Sequence, residues 1–420
     1  MRVAAWTVFV LMLAQGLAFV DRQVLSLLIQ PIERELRISD SAAGVLYGFG
    51  FALFYSLISL PVARLADRSS RRAVIGTAVA AWSGMTALCG LARTYPMLLA
   101  ARLGVGAGEA GLSPAAQSLL ADTAPPQRLG LAMGLFSLSI PLGGGLALMA
   151  GGALLRHTPE IAQAFGVGTG VSPWRVVMVC VAAPGAVVAL LFCTVHEPRT
   201  GVRPAPVPIA HVVAEVLRKR QAYFGLIGAL SLIVLVNLSS AAWVPTLFER
   251  RFHWTGAEVG ARYGPLVLLC GAAGAVCGGV AASAMARRGV RNANLKAAFF
   301  GMAIMAPTAV AFPLSPGPAA ALVLGGLLNF AAAFPSGGGY AALQSMTPAP
   351  MRAQIASVTV LSVNLMGAGL GPALTGILTD YLFADPQKLP VSMALVAAVF
   401  GPLALCGYGM AMRATGRKRA

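Results

Sequence analysis

Four ionisable residues lie within apolar stretches of the first half of the chain: Asp21, Arg22, Arg102 and Glu109. A charge at the centre of a hydrocarbon layer costs at least about 2.5–3.5 kcal/mol, so such residues mark a functional pathway or pair with one another. A carboxyl group can take up a proton, and an arginine can bind carboxylate or phosphate with two parallel hydrogen bonds. We predict that Asp21 and Glu109 exchange protons, while Arg22 and Arg102 compete with the proton or hold an anionic group. The alternative is a buried pair that only fixes helix packing.

The expected depth of these residues indicates which of them can meet. If a first helix runs outward from Trp6, Asp21 lies about 22 Å from the inner interface at 1.5 Å per residue. A helix that runs inward from Pro96 places Arg102 about 21 Å above that interface in a core about 30 Å thick. Glu109 follows seven residues later on the same face, about 10 Å closer to the inner side. The sequence therefore predicts two acids at two depths.

The composition indicates what surrounds these charges. Of the 420 residues, 57% are hydrophobic and 11% are charged, against about 25% charged in a soluble domain. Apolar stretches near twenty residues long recur along the chain, and each can cross a membrane as a helix. A β-barrel would instead show shorter segments of alternating polarity. The net charge of +17 comes mostly from Lys and Arg in predicted loops on one side of the membrane. We therefore exclude nucleic acid as a partner.

The apolar stretches fall into two sets of six. The predicted domains are an N-terminal six-helix bundle over 1–195, a polar, proline-bearing cytoplasmic linker over 196–221 and a C-terminal six-helix bundle over 222–420, with both termini in the cytoplasm. The predicted helices cover 5–30, 42–63, 73–92, 96–121, 129–154, 174–195, 222–248, 258–285, 295–313, 318–344, 353–378 and 391–412. An internal repeat supports this division: aligning Arg128 with Arg352 superposes Gly143 on Gly367, Gly145 on Gly369 and Gly152 on Gly376.

The loop after the second predicted helix reads Ala63-Arg64-Leu65-Ala66-Asp67-Arg68-Ser69-Ser70-Arg71-Arg72. It resembles the signature loop of major facilitator transporters, except that Ala63 and Ser70 stand where glycine is usual. Arginines alone could serve membrane topology, but an acid among them has no such purpose. Asp67 can accept hydrogen bonds that must break when the cytoplasmic side opens. We predict a cytoplasmic gate made of Asp67, Arg68, Arg71, Arg72, Asp122 and Arg128.

Three further motifs narrow the resemblance: Asp21-Arg22-Gln23, the segment Ser39-Asp40-Ser41-Ala42-Ala43-Gly44-Val45-Leu46, and Gly106-Ala107-Gly108-Glu109-Ala110. Together they are similar to the Spinster-type branch of the major facilitator superfamily. The resemblance implies the major facilitator fold, an all-α membrane protein with 12 transmembrane helices in two pseudo-symmetric six-helix bundles. It also implies a role in proton coupling for Asp21 and Glu109.

The second half differs from the first, because its spans carry polar residues but no clear intramembrane charge. These polar residues are Asn237, Ser239, Ser240, Asn329, Tyr340, Gln344, Ser357, Thr359 and Asn364. A path charged on one wall and weakly polar on the other suits an amphiphile. We expect a proton-coupled secondary transporter, working by alternating access, for an anionic amphiphile of the lysophospholipid or sphingoid-phosphate type. The alternative substrate is a small organic anion, a sugar acid or an aromatic carboxylate.

Other function classes fit the residues less well. No His-Glu-x-x-His pair or nucleotide-binding Gly-Lys loop occurs, so we do not expect an enzyme. A channel would more naturally be an oligomer with ringed charges, whereas two halves of one chain can enclose a path. We expect a multi-pass monomer in the bacterial inner membrane, with protons, membrane lipids and a small-molecule or lipid substrate as partners. No cofactor or metal is expected.

Overall fold

The computed structural model describes residues 2–125, 129–164, 171–198 and 208–416, and in these ranges the regular secondary structure is entirely helical. The α-helices are α1 (Arg2–Leu36), α2 (Asp40–Gly44), α3 (Gly50–Arg68), α4 (Arg71–Leu91), α5 (Tyr95–Glu109), α6 (Leu112–Thr123), α7 (Leu129–Ala164), α8 (Pro173–Leu191), α9 (Ile209–Arg218), α10 (Arg220–Phe252), α11 (Gly256–Arg287), α12 (Ala293–Ala311), α13 (Pro318–Ala333), α14 (Ser336–Met346), α15 (Arg352–Ser362), α16 (Leu370–Ile377) and α17 (Leu389–Gly416). Short π-helical segments, Val45–Phe49, Val363–Gly369 and Leu378–Phe383, continue several of them.

Eleven helical stretches among the described residues are long and apolar enough to cross a membrane. Large apolar side chains such as Leu190, Leu269 and Val323 are exposed on them, as expected for a surface that faces lipid. The sequence predicts twelve crossings, and the one that is not among these eleven stretches is the segment from Tyr95 to Thr123. The boundaries of the other crossings agree with the predicted helices to within six residues, except that the helix predicted to end at 154 continues to Ala164.

The prediction of one continuous helix over 96–121 was wrong, because the chain forms α5 and α6 with a turn at Ala110 and Gly111. The reason lies four residues beyond Ala110. Pro114 has no N–H group and cannot donate to the carbonyl oxygen of Ala110, so the helical ladder is interrupted there. Together α5 and α6 are still long enough to cross a core about 30 Å thick.

A further predicted helix also differs, since the helix predicted over 318–344 is divided into α13 and α14 beside Pro335. Proline again explains the break, because it removes a backbone donor from the helix. Within the predicted linker 196–221 lies the short helix α9. The spacing of Ile209, Val212, Val213 and Leu217 puts these apolar side chains on one face of α9. Val212 is buried, whereas the other three are exposed.

Chain contacts divide the protein into two compact units. Unit 1 consists of Met1–Gly201 and Ala242–Leu268, and unit 2 consists of Val202–Ala241 and Leu269–Ala420. The helices α10 and α11 are therefore shared: the ends that meet at their turn belong to unit 1, and the remaining parts belong to unit 2. The domain boundaries predicted from the sequence stay a prediction.

In unit 1, α1 packs mainly against α7, and α4 packs against α8 and α5. Glycine allows the closest of these approaches. A Cβ atom at Gly143 of α7 would lie 2.5 Å from the carbonyl oxygen of Gly16 in α1, a distance that no side chain tolerates. The backbones of α1 and α7 therefore touch, as is common between membrane helices with small residues at the interface.

In unit 2, α12 packs against α17, α13 and α14. A Cβ atom at Gly367 would lie 2.9 Å from the carbonyl oxygen of Ser231 in α10. Gly143 and Gly367, paired by the internal repeat, thus make the same kind of backbone contact, each with a long helix of its own unit.

Candidate functional site

The four ionisable residues predicted to lie in the membrane come together in unit 1. Asp21 and Arg22 are on α1, and Arg102 and Glu109 are on α5. Asp21 and Arg102 are completely buried and Glu109 is 1% exposed, so water does not solvate these three charged groups. We call these four residues the buried charge site.

Arg22 and Glu109 form a direct ion pair. The Nη2 atom of Arg22 lies 2.5 Å from Oε2 of Glu109, and Nε of Arg22 donates to the same oxygen at 2.7 Å. The other carboxylate oxygen of Glu109, Oε1, is buried without a hydrogen-bond partner among the described residues. One carboxylate oxygen of Glu109 therefore binds Arg22 twice, and the other oxygen has no hydrogen bond in the described structure.

Aromatic rings surround the Arg22 guanidinium group. Its central carbon lies 4.4 Å from the ring centre of Phe51, 5.1 Å from that of Phe19 and 5.3 Å from that of Tyr55. Each such cation–π contact contributes about 0.5–2 kcal/mol, with the higher values in desolvated positions. These rings stabilise the charge of Arg22 without accepting hydrogen bonds from it in the way a carboxylate does. A proton can therefore compete with Arg22 for the carboxylate of Glu109.

Asp21 and Arg102 are less completely satisfied. Thr86 of α4 donates to Oδ2 of Asp21 at 3.3 Å, whereas Oδ1 has no hydrogen-bond partner in the described structure. The Nε and Nη1 atoms of Arg102 are likewise buried and without partners there. The charge of Arg102 nevertheless acts on the carboxyl groups of both Asp21 and Glu109.

The chemistry of the site follows from these unpaired atoms. A buried donor or acceptor without a partner costs about 1–3 kcal/mol, and more when it is charged. Binding a proton at Asp21 or Glu109, or an anion at Arg102, would relieve that cost. The arrangement can therefore exchange Arg22 for a proton on Glu109 and can accept a carboxylate or phosphate at Arg102.

Two glycines of the motif Gly106-Ala107-Gly108-Glu109-Ala110 bring Glu109 into position. A Cβ atom at Gly106 would lie 2.6 Å from the carbonyl oxygen of Phe51, and one at Gly108 would lie 2.9 Å from the backbone nitrogen of Trp82. Helix α5 therefore touches the backbones of α3 and α4. At its other end, Thr94 caps α5 by accepting from the N–H of Met97, with Pro96 in the first turn.

A second group of charges, which we call the Arg71 cluster, lies where α4 begins. Arg71 forms an ion pair with Asp122 at the end of α6 and another, at 2.9 Å, with Oε1 of Glu197 in the segment after α8. Its Nη1 atom also donates to Ser118 at 2.9 Å. One arginine thus connects three segments of unit 1.

Glu197 is a member of this cluster that was not predicted from the sequence. Its Oε2 atom accepts from Ser70 at 2.6 Å, and its Oε1 atom also accepts from the backbone N–H of Arg71 at 2.9 Å. Burial alone would raise the pKa of the Glu197 carboxyl, but the hydrogen bonds from Ser70 and Arg71 outweigh burial and lower that pKa below its ordinary value of 4.5. The carboxylate is therefore held in its charged form.

The other predicted gate residues have separate positions. Arg72 donates to the carbonyl oxygen of Val195 at 3.1 Å, whereas Arg68 is exposed. Arg128 and the side chain of Asp67 lie outside the described part of the structure. Of the predicted gate, the structure thus brings Arg71 and Asp122 together, both within unit 1.

Known membrane transporters are similar to this chain over most of its length. A family model described as the Major Facilitator Superfamily matches residues 11–372. An MFS-type efflux pump of Mycolicibacterium smegmatis is 30% identical over 404 residues, which cover 94% of this chain and 89% of the relative. A probable L-galactonate transporter of Escherichia coli is 22% identical over 414 residues, covering 94% of this chain and 88% of the relative.

Other matches concern the Spinster-type branch. A sphingosine-1-phosphate transporter of Danio rerio is 27% identical over 138 residues, which cover 32% of this chain and 27% of the relative. A solved structure of a bacterial homologue of the human lysosomal transporter Spinster, inward-facing and unoccupied, superposes with a TM-score of 0.81 at 28% identity, covering 99% of both chains. These matches confirm the resemblance that the three motifs predicted.

Proposed function

Because the chain belongs to the Major Facilitator Superfamily, we propose that it is a proton-coupled secondary transporter that moves an anionic amphiphile by alternating access. The relation to Spinster homologues gives the class, a transporter with many membrane-spanning helices. That class alone does not specify proton coupling, the substrate or the direction of transport. We place the proton on Asp21 and Glu109 and the anionic group of the substrate at Arg22 and Arg102.

One observation carries this proposal: the buried charge site contains two acids and two arginines, but only Arg22 and Glu109 form an ion pair at hydrogen-bond distance. A site built only for packing would satisfy all four groups, because breaking or leaving open a buried pair costs several kcal/mol. Atoms left unpaired in Asp21, Arg102 and Glu109 support exchange of partners. A proton and an anion are the two partners that these side chains can take.

An amphiphile is supported by the polar side chains of unit 2. Asn329, Thr359 and Asn364 donate to the carbonyl oxygens of Gly325, Ile355 and Val360, each four residues earlier in its own helix, at 2.8–2.9 Å. Side chains used in this way offer less hydrogen bonding to a polar substrate. The named substrate of the Danio rerio relative, sphingosine 1-phosphate, joins a phosphate to a long apolar chain. We propose a lysophospholipid or sphingoid phosphate here.

The second candidate is a small organic anion, such as a sugar acid or an aromatic carboxylate. The Escherichia coli relative, named for L-galactonate, a sugar acid, covers nearly the whole chain, unlike the sphingosine-1-phosphate transporter. Arginine binds carboxylate as readily as phosphate. This candidate keeps the same roles for the buried charge site.

We also propose the membrane arrangement. The chain would cross the inner membrane of a bacterium twelve times as a monomer, with α5 and α6 together as one crossing. An even number of crossings puts both termini on the same side, which we propose is the cytoplasm. The excess of Lys and Arg in the loops on one side supports that orientation. The predicted gate of Asp67, Arg68, Arg71, Arg72, Asp122 and Arg128 would then lie on the cytoplasmic side, with Glu197 added to it.

Flux into proteoliposomes under an imposed pH gradient tests the proposal. A labelled lysophospholipid and a sphingoid phosphate are compared with a panel of small carboxylates, in the parent protein and in Asp21→Asn. We expect the gradient to accelerate lipid flux and Asp21→Asn to abolish that acceleration. Flux of carboxylates alone would replace the amphiphile with the second candidate, and flux that ignores the gradient would contradict proton coupling.

A further inference from the structure

A third group of charges, the Arg250 cluster, lies at the end of α1, away from the buried charge site. The guanidinium group of Arg250, near the end of α10, donates to both carboxylate oxygens of Asp40 at 2.6 and 2.7 Å. Its Nη2 atom also donates to Oε2 of Glu33 at 3.0 Å, and Gln30 donates to that same oxygen at 2.5 Å. All four residues belong to unit 1.

The cluster holds more acid than base. The side chains of Glu33 and Asp40 are 9% and 5% exposed, and that of Arg250 is 13% exposed. One guanidinium group therefore faces two shielded carboxyl groups. Nearby, Glu249 of α10 faces Arg34 and Arg250, so the wider group contains three acids and two arginines. An uncompensated negative charge with little access to water is costly.

The geometry indicates how that cost is relieved. Oε1 of Glu33 is buried and has no hydrogen-bond partner among the described residues, although its other oxygen accepts two bonds. The charged groups that act on Glu33 are Asp40 and Arg250. Two carboxyl groups that share one site bind a proton as a pair. The free oxygen of Glu33 is where that proton can attach without displacing an existing bond.

We propose that Glu33 and Asp40 share one exchangeable proton and form a second proton-binding site, about 18 Å along α1 from Asp21 at 1.5 Å per residue. The site controls how firmly Arg250 is held. Without the proton, two carboxylates bind the guanidinium group and fix the end of α10 to α1 and α2. With the proton, one of the two charges is lost and the end of α10 is released more easily. Its use in transport rests on the proposed function, but its proton binding does not.

Thiol labelling of the purified protein tests this control. The six native cysteines are replaced by serine, and Ala43→Cys places a reporter on α2, where Ala43 is 2% exposed. In the parent, labelling by a polar maleimide should accelerate as the pH falls, relative to Glu33→Gln at the same pH. Glu33→Gln imitates the protonated state and should label at least about tenfold faster at alkaline pH, because a hydrogen bond between charged groups contributes at least that factor.

Glu35→Gln is the matched control. Glu35 lies two residues further along α1 but binds Arg175 at 2.7 Å and Trp174 instead of Arg250. Its substitution should leave the labelling profile of the parent unchanged. Labelling of Glu33→Gln that equals the parent at every pH would overturn the proposal.

Infrared difference spectra between acidic and alkaline pH give a second measurement that does not depend on the reporter. The parent should show the C=O stretch of a protonated carboxyl that disappears in Glu33→Gln or Asp40→Asn and persists in Asp21→Asn. A band that survives both of the first two substitutions would overturn the shared proton. Neither measurement uses substrate or a pH gradient, so loss of proton-driven flux would count against the proposed function alone.

Discussion

The buried charge site and the Arg71 cluster both combine acids with arginines in unit 1, but they differ in how completely the groups are paired. In the Arg71 cluster both oxygens of Glu197 accept hydrogen bonds, and Arg71 binds two carboxylates. In the buried charge site, atoms of Asp21, Arg102 and Glu109 have no partners in the described structure, although these residues are more deeply buried. The difference separates charges whose hydrogen bonds offset their desolvation from charges with unpaired atoms, and the unpaired atoms are the ones that we propose to take a proton and an anion.

The largest expected difference lies between the two arginines of the buried charge site. Arg22→Gln leaves the buried Glu109 without its hydrogen-bonded partner, so we expect the free energy of unfolding to fall by about 3–5 kcal/mol. Arg102→Gln breaks no hydrogen bond of the described structure and leaves Arg22 paired with Glu109, so it should cost less than Arg22→Gln. Thermal unfolding in detergent measures both. Equal losses would show that Arg102 is paired after all.

Arg71→Ala tests the structural role of the paired cluster. Loss of its hydrogen bonds to Asp122 and Glu197 should lower the free energy of unfolding by about 1.5–3 kcal/mol. Arg68→Ala, which removes an exposed arginine, should change it by less than about 0.5 kcal/mol. The same unfolding assay measures both variants. If Arg71→Ala and Arg68→Ala change the free energy of unfolding by the same amount, the hydrogen bonds of Arg71 do not stabilise the fold.

Gly108→Ala probes the close packing that positions Glu109. The added methyl group would lie 2.8 Å from the Cβ of Trp82, so we expect about 1–3 kcal/mol of destabilisation and slower substrate flux. Gly134→Ala in α7 is the matched control, since a Cβ atom there meets nothing within 4 Å. Unfolding and flux are measured on both. A Gly108→Ala protein with unchanged flux would indicate that α5 can move without disturbing Glu109.

The smallest expected effect is a pH dependence of stability. Because the folded protein lowers the pKa of Glu197 below 4.5, this carboxylate stabilises the fold at pH values above 4.5. That contribution is lost as the pH falls through the lowered pKa. Glu197→Gln should therefore reduce stability at neutral pH and flatten its decline in acid. Melting temperatures measured across that range check the sign, and a steeper acid decline in the variant would contradict it.

The four members of the buried charge site could be predicted from the sequence because ionisable residues stand out in apolar stretches. The expected depths could not assign partners, since Glu109 was placed about 10 Å below Arg102 and yet meets Arg22 directly. Depths counted along straight helices leave out the lengths of both side chains and the tilt of the helices. The rings of Phe19, Phe51 and Tyr55 were missed because aromatic residues in membrane helices carry no signal that separates packing from cation–π contact.

Other omissions have different causes. The turn between α5 and α6 could have been predicted, because Pro114 removes the backbone donor for Ala110. Glu197 and Arg250 could not, since their partners lie 126 and 210 residues away in sequence. A charge at the end of a helix looks solvated in the sequence. Only the fold shows that another segment covers it.

The most direct test compares gradient-driven uptake with exchange in proteoliposomes that contain equal substrate on both sides. Exchange needs a substrate site and a conformational change, whereas gradient-driven uptake also needs the proton. Asp21→Asn and Glu109→Gln should keep exchange within a small factor of the parent and lose the acceleration by a pH gradient. If both variants still take up substrate faster under the gradient, the buried charge site does not carry the coupling proton.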